Sequence, residues 1–575
     1  MSNIELLGKV LSTDLLVVGG GLAGLTAAIA AKETKPEIDV LIVDKASASK
    51  GMAGKAARSA GILSFVTPED DPEEFVKFFV HNVGYFLCDQ LLLREFAYYS
   101  QSIVEHLSLW NVEVWRGPDG KIQYTKGPFP WGTTNVDPDM CRNMAKYAKN
   151  LGVKFVDKVC IASLLRDEDN ISGAVGFSLS DGTFYIVKAK AVILASGSQN
   201  YGVTLLWIGT GNGILAAYKA GAEMRNVEFG NMFDFTRISP EGWIFSGVHG
   251  GAHVAHDFLV NSKGENLSRK YQIKPPDSPE TVLAWYRETL AGNGPIFVDF
   301  KAVQERQMLT VQERPMLRMH KKVQERFGCI NSKVPPLKED KAEVVPYFIG
   351  ELSCVRVNHQ MATSVPGLFA VGDVCGNGSA RGGAAPTPPH KIHGTGLLNA
   401  LFTGIRGGAA AAVYVSALKA INFEPEVDYD QVKELKDEVF APLRRRTGFS
   451  SREIIHKIQD IIVPADCSII KSEERMEESL NYVLSVKEKI REIKAEDFHD
   501  LAKCIDAESM ALCAEMFYRA SLMRTESRGF HIREDYPEMD NKNWLKWIIV
   551  KKENETMKLY TEDVPIHKYP YRPFQ

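Results

Sequence analysis

The feature that most constrains this chain is a strand ending in a glycine-rich turn, followed by a helix of small residues and a second strand ending in an acid. Residues 13–18, Thr-Asp-Leu-Leu-Val-Val, read as a short buried parallel strand, continuously apolar after its first residues. Gly19, Gly20, Gly21, Leu22, Ala23 and Gly24 follow, then a helix from Leu25 to Lys32 whose alanines allow close packing on a sheet. A second strand, Asp39 to Val43, leads into Asp44, 20 residues after Gly24. In such a G-x-G-x-x-G turn the first glycine makes the tight bend and the second lets backbone approach a pyrophosphate. The third lets the helix sit on the strand. The helix N-terminus offers unpaired N–H groups to phosphates, and Asp44 can accept from ribose hydroxyls. A glycine-rich turn alone is a weak signal; with strand, helix and acid in place it points to dinucleotide binding.

At 575 residues the chain predicts two or three domains. An apolar fraction of 45% and a charged fraction of 24% are those of an ordinary globular protein, and a net charge of -4 argues against nucleic acid. No run approaches the roughly 18 consecutive apolar residues of a membrane helix, so no direct membrane insertion is expected. The start, MSNIELLGKV, carries no leader pattern, so cytoplasmic residence is the expectation. None of the nine cysteines falls in a C-x-x-C pair. Buried free thiols are the simpler reading, and any one-electron relay then sits on another polypeptide.

Two further segments complete the nucleotide-binding unit. Lys190 to Gly197, KAVILASG, is an apolar strand running into a small-residue turn, and Pro366 to Asp373, PGLFAVGD, is a strand ending in an acidic turn. They lie about 170 residues apart, which predicts an inserted domain over residues 231–345. VQER recurs there from Val303, Val311 and Val323, at unequal spacings of 8 and 12 that argue for a charged helix rather than a solenoid. Beyond residue 416, Val432 to Arg446, Ser451 to Ile462, Glu473 to Ile493 and Leu501 to Met523 carry apolar residues at helical spacing. The last stretch, with Trp544, Trp547 and several prolines, reads as an extended tail over a partner or over the chain itself.

VVGGGLAGLTAA, VDKA from Val43 to Ala46, and TGNGILAAYKAGAEMRNVEF from Thr210 to Phe229 together resemble the fumarate reductase/succinate dehydrogenase flavoprotein superfamily. So do FLVNSKGENLSRKY (Phe258 to Tyr271), SVPGLFAVGD (Ser364 to Asp373) and ESRGFHIREDYPEMDNKNW (Glu526 to Trp544). VDKAS, AGNGPIFVD from Ala291 to Asp299, His390-Lys391 and KYPYRPF from Lys568 to Phe574 are similar to segments of adenylylsulfate reductase alpha subunits. The resemblance implies an α/β fold: a Rossmann-like (GR2-type) FAD-binding domain over 1–230 and 346–415, interrupted by an α+β capping domain over 231–345. A helical domain over 416–530 and an extended tail over 531–575 follow. It implies FAD contacts at Gly19, Gly21, Gly24, Asp44, Lys45, Gly61, Ile161, Gly197, Gly372, Asp373, Gly394 and Gly396. It also implies electron exchange with a small ferredoxin-like iron–sulfur subunit in a hetero-oligomer, as in anaerobic redox metabolism.

The departures from the family pattern shape the functional expectation. The loop Lys50 to Ile62 holds no histidine for covalent flavin attachment, so non-covalent FAD is expected. Where fumarate-handling enzymes follow their Glu-Phe pair with His-Pro-Thr, Glu228-Phe229 here leads into Asn231-Met-Phe-Asp-Phe235. The substrate arginine of adenylylsulfate reductases falls on Thr281, whereas the histidine before a lysine is kept at His390-Lys391. His253, flanked by His249 and His256, is a candidate proton donor; glycines at 247, 250 and 251 disfavour a helical metal face, and no metal site is expected. His390, Lys391 and His393 are candidates to touch substrate, and Arg237 and Arg356 are weaker carboxylate clamps. The leading reading is an FAD-dependent oxidoreductase moving electrons between a small-molecule substrate and an iron–sulfur partner. The alternatives are an adenylylsulfate reductase alpha chain with an altered site, and a substrate-free electron-transfer module of a larger complex.

Overall fold

The computed structural model describes residues 3–573 apart from 60, 127–128, 204–208, 231, 239–243, 246–257, 274–278, 300, 303–340 and 377–394. The central sheet holds β1 (Lys9–Val18), β2 (Val40–Asp44), β3 (Lys154–Asp157), β4 (Val159–Asp167), β5 (Asn170–Ser178) and β6 (Phe184–Leu194), in the order β3-β2-β1-β6-β5-β4. β1 pairs in parallel with β2 and β6, and β2 in parallel with β3. β4 and β5 add an antiparallel ribbon. On the edge away from β1, β6 is long enough to serve two partners: its first half pairs with β5 and its last residues with the parallel strand Leu368–Ala370. The chain therefore leaves this sheet after Leu194 and rejoins it at Leu368. The VQER repeats lie outside the described residues.

The excursion carries a sheet of its own. Strands Ile244–Phe245, Met232–Ile238, Lys341–Gly350, Phe297–Asp299 and Leu259–Val260 are hydrogen-bonded in that order, all antiparallel. The closing strand runs on to Gly350, past residue 345, and Glu351 turns the chain toward Val355–Arg356, a strand of the five-stranded sheet.

α1 (Leu22–Thr34) is buried along its first ten residues, and α2 (Gln90–His106) and α3 (Thr395–Ala420) belong to the same layer: α3 packs against both. Among the described residues α3 alone is long and apolar enough to cross a membrane, and half of its most apolar window is buried against the rest of the chain. Four long helices follow among the described residues: α4 (Tyr429–Arg444), α5 (Ser451–Ile462), α6 (Glu473–Ile490) and α7 (Phe498–Met523). Their starts are set by caps. Asp428, Ser450, Ser472 and Asp497 each accept a backbone N–H from the first turn. α5 and α6 both pack against α7.

Residues beyond α7, read as an extended tail, lie on the chain itself and include a β-hairpin. Lys546–Glu553 and Thr556–Asp563 pair antiparallel, and the first of them joins Met224–Arg225 in a five-stranded sheet. Farther on, Gln90 holds the backbone of Tyr571 through two hydrogen bonds of 2.8 and 3.0 Å.

A buried ionic network ties this C-terminal part to the central domain. Arg524, just past α7, donates to Glu228 at 2.8 Å, to Glu526 at 2.7 Å and to the Lys546 carbonyl at 2.7 Å. Arg528 donates twice to Glu526, each at 2.8 Å, and to the Tyr85 carbonyl at 2.7 Å. Glu228, Arg524, Glu526 and Arg528 side chains are fully buried, two acids against two guanidiniums. With that balance set, another cation would be unpaired. Burial pushes the nearby Lys471 ammonium well below its ordinary range and His531 likewise, with the neighbouring arginines adding to the effect on both. Arg524→Met leaves buried carboxylates short of a partner and is expected to cost about 3–5 kcal/mol in urea unfolding, whereas Glu228→Met with Arg524→Met recovers part of the loss.

A second link is sensitive to pH. Asp89 caps α2 with one oxygen and faces His359 Nε2 at 3.0 Å with the other. His359 Nδ1 lies 3.4 Å from Glu95, which also pairs with Arg406 of α3. The Asp89 hydrogen bond raises the His359 pKa, against partial burial and nearby Arg225. A histidine whose folded pKa is raised contributes stability that is complete below its ordinary value of about 6.5 and is lost as pH rises through the folded value. The melting temperature of the parent is therefore expected to exceed that of His359→Gln at about pH 6, with the gap closing toward about pH 8.5.

Candidate cofactor and active site

The glycine turn sits at the C-terminal edge of β1, and each glycine has a distinct physical reason. Gly19 has φ +105, and a Cβ there would lie 2.6 Å from the Ala195 carbonyl oxygen at the end of β6. A Cβ on Gly24 would lie 1.9 Å from the Gly19 carbonyl oxygen, so only glycine lets α1 approach the turn. At Gly21 a Cβ would lie 3.6 Å from Gly54 Cα and 3.8 Å from the Ala53 carbonyl oxygen, in ordinary contact with the loop that covers that side of the turn. Gly21 is the N-cap of α1 and supplies no side-chain acceptor, so N–H groups of the first turn remain available to an anion.

Asp44 closes the turn from β2. Its Oδ2 accepts the Gly20 N–H at 2.7 Å and its Oδ1 accepts the Ala46 N–H at 2.5 Å. Burial pushes the carboxyl up, opposed by these two donors. Since a carboxylate offers about four lone-pair sites, it can hold the loop and still accept from a ribose. Lys45 donates to Thr210 at 2.9 Å and lies 3.6 Å from Asp506 of α7.

Of the other expected contacts, Gly197 and Gly372 come near the glycine turn from distant segments. Gly197, φ +80, follows β6 with nothing within 4 Å of where its Cβ would be. Gly372, φ +72, would place a Cβ 2.6 Å from the Ala23 side chain, bringing the Gly372-Asp373 turn against the first turn of α1. Its N–H donates to Thr403 of α3 at 2.8 Å. Gly396 lies in the first turn of α3. Ile161 is buried in β4, opposite Gly176, and Gly61 packs against the Val136 carbonyl. Gly394, His249, His253, His256, His390, Lys391 and His393 lie outside the described residues. Arg237 lies on the strand Met232–Ile238, paired with Val344. Arg356, weighed as a substrate clamp, is committed to Glu223 at 3.0 Å and Glu562 at 2.7 Å. Thr281 is buried in the helix Pro279–Leu290.

Sequence reasoning did not single out Lys55, Ser198 or Glu351. Lys55 donates to Ser198 at 2.7 Å and lies 3.4 Å from Asp373 and 3.6 Å from Glu351. No local signal marks these residues, because their partners are brought together only by the sheet. The open position at Gly197, the uncapped first turn of α1 and the Asp44 acceptor fit a dinucleotide whose pyrophosphate lies on the glycine turn.

A cleft of this kind on this fold defines an FAD-dependent oxidoreductase. A family model described as FAD binding domain matches residues 14–386, and one described as Fumarate reductase flavoprotein C-term matches residues 456–575. The chain belongs to the FAD-binding flavoprotein family of fumarate reductase and succinate dehydrogenase. It is 24% identical over 573 residues to a fumarate reductase (CoM/CoB) subunit of Methanothermobacter marburgensis, covering 94% of this chain and 97% of that one. It is 23% identical to the Escherichia coli fumarate reductase flavoprotein subunit, covering 97% and 94%. Among solved structures, a quinol-fumarate reductase superposes with TM-score 0.81 at 21% identity, covering 98% of this chain and 100% of that one. The adenylylsulfate reductase of Archaeoglobus fulgidus superposes at 0.76 and 23%, covering 98% and 97%. Asp44→Ala strips an acceptor from the Gly20 and Ala46 N–H groups; it is expected to cost about 1–3 kcal/mol in apoprotein unfolding and to speed FAD release, followed by flavin fluorescence.

Proposed function

We propose that this chain is the catalytic flavoprotein component of a two-component oxidoreductase, moving electrons between a small-molecule substrate and a separate iron–sulfur protein. The observation that carries this reading is the state of the thiols. The eight described cysteines are all free, and seven are buried. Burial pushes Cys88, Cys160, Cys375, Cys504 and Cys513 up to about 12, far from the thiolate form that a cluster needs. Electrons that leave one at a time then need a relay on another chain. Relatives named as subunits of fumarate reductases support the same arrangement.

Bound FAD supplies the hydride chemistry. The chain's own residues bind and orient it: the first turn of α1 takes the pyrophosphate, Asp44 the ribose, and Asp373 the linker toward the cap. FAD is held without a covalent bond, since the loop Lys50 to Ile62 lacks histidine. Proton delivery falls to the candidates of suitable chemistry, His253, His390, Lys391 and His393. The substrate is an activated carbon–carbon double bond or a sulfur compound distinct from the family's familiar ones. Asn231 to Phe235 replaces the fumarate-handling segment, and Thr281 replaces the sulfur-site arginine.

Anaerobic purification of the tagged chain from its native host is expected to bring down a smaller iron-containing protein in constant ratio to FAD. An iron-free lone flavoprotein that turns over substrate would overturn the two-component reading. After acid precipitation the flavin is expected in the supernatant; a yellow pellet would show a covalent bond instead.

A further inference from the structure

Lys55 occupies a position that the glycine motif does not explain. It follows Gly54, whose Cβ, if present, would lie 3.2 Å from Gly21 Cα, so the loop carrying Lys55 rests on the pyrophosphate turn. From there the side chain crosses to three other segments. Its ammonium donates to Ser198 Oγ at 2.7 Å, beside the open Gly197 position at the end of β6. Asp373 Oδ2 lies 3.4 Å away, on the turn that Gly372 presses against Ala23 in the first turn of α1. Glu351 Oε1 lies 3.6 Å away, just past the strand Lys341–Gly350.

The backbone fixes Glu351 in this place. It is buried and has φ +83, a region that residues with side chains rarely adopt. Its N–H donates to the Gln199 carbonyl at 3.0 Å. The Lys55 side chain, by contrast, is 23% exposed, so its charge stands at the wall of the cleft and not in the core.

The charges around the cleft make the role of Lys55 specific. Asp373 and Glu351 would by themselves place two negative charges beside a turn suited to a doubly negative pyrophosphate, and like charges at this range repel. The ammonium offsets them and has three donors, so it can keep a carboxylate partner while donating to a phosphate oxygen. We propose that Lys55 is the phosphate-facing cation of this cleft, pairing with the FAD pyrophosphate and shielding it from Asp373 and Glu351. Lys55 is thus a positioning residue, and FAD retention in a chain without a covalent tether depends on it.

The test uses the full chain, stripped of flavin and titrated with FAD and, separately, with riboflavin, which has no phosphate. Lys55→Met is expected to weaken FAD binding by about 10- to 100-fold, the size of one charge-assisted hydrogen bond, and to flatten its salt dependence. Riboflavin affinity is expected to stay at the parent value, and Lys55→Arg to keep most of the FAD affinity. The midpoint potential of the bound flavin is expected to be unchanged. Equal losses for FAD and riboflavin, an unchanged FAD affinity, or a shifted potential at constant affinity would each overturn the assignment. Apoprotein melting curves establish that Lys55→Met folds. Should it not fold, Glu351→Gln decides: freeing the ammonium from one carboxylate is expected to tighten FAD a few-fold, and weaker FAD binding overturns the proposal.

Discussion

The close approach of α1 and α3 is the constraint on which the cleft depends. A Cβ on Gly408 would fall 2.2 Å from the Ala27 carbonyl oxygen, and one on Gly404 would fall 2.7 Å from Thr26 Cβ and 2.8 Å from the Ala23 carbonyl oxygen. Glycines four apart lie on one helix face, so the two backbones meet along a stripe without side chains. Because residue 404 faces 23 and 408 faces 27, the helices run parallel and both N-termini point to the same edge. α3 starts at Thr395, which at about 1.5 Å per residue puts its first turn roughly 12 Å beyond that of α1. Two positive helix ends thereby point to one edge, one of them at the glycine turn. The same packing explains the apolar composition of α3: it is a core helix with small residues where it must come close.

Two polar networks then fix what surrounds this core. The fully buried Glu228–Arg524–Glu526–Arg528 set joins the C-terminal part to the short segment that leads into the cap. Arg524 is further confined between the Phe229 and Trp544 rings, at 5.4 and 5.1 Å. Such a network adds less to net stability than its hydrogen bonds suggest, since burying each charge is costly. Its consequence is geometric: the segment Val227–Phe229 cannot shift without leaving a buried charge unpaired. The Asp89–His359–Glu95–Arg406 set does the same nearer the surface, joining α2 and α3 to the turn at His359, but there water screens the charges and protonation can adjust the link.

Much of the fold was legible because it is written in short-range pattern. The strands around residues 13–18 and 39–43, the helix between them and the bundle helices from Ser451 to Met523 follow from apolar spacing and, for the bundle, serine and aspartate caps. Boundaries moved where a cap or a ladder partner decided them: β1 starts at Lys9 because β6 pairs it that far, and α7 starts at Phe498 because Asp497 caps it. The hairpin Lys546–Asp563 was not legible. Its second strand is a mostly exposed edge, without the apolar run that marks a buried strand, and it forms because Met224–Arg225 offers its first strand an edge to pair with.

Sequence alone determined the strand, the three-glycine turn, the small-residue helix and the placement of Asp44 beside it, because these are set by contacts within a few dozen residues. Tertiary structure decided what else faces the cleft. Lys55 meets Ser198 across 143 residues and Asp373 across 318, and no spacing rule relates positions that far apart. It also decided that Arg356 serves the hairpin instead of a ligand, because Glu223 and Glu562 reach it first. The physical reason is the same in both cases. Backbone conformation answers to neighbours in sequence, whereas the partner of a charged side chain is whichever opposite charge the packed sheets bring within reach.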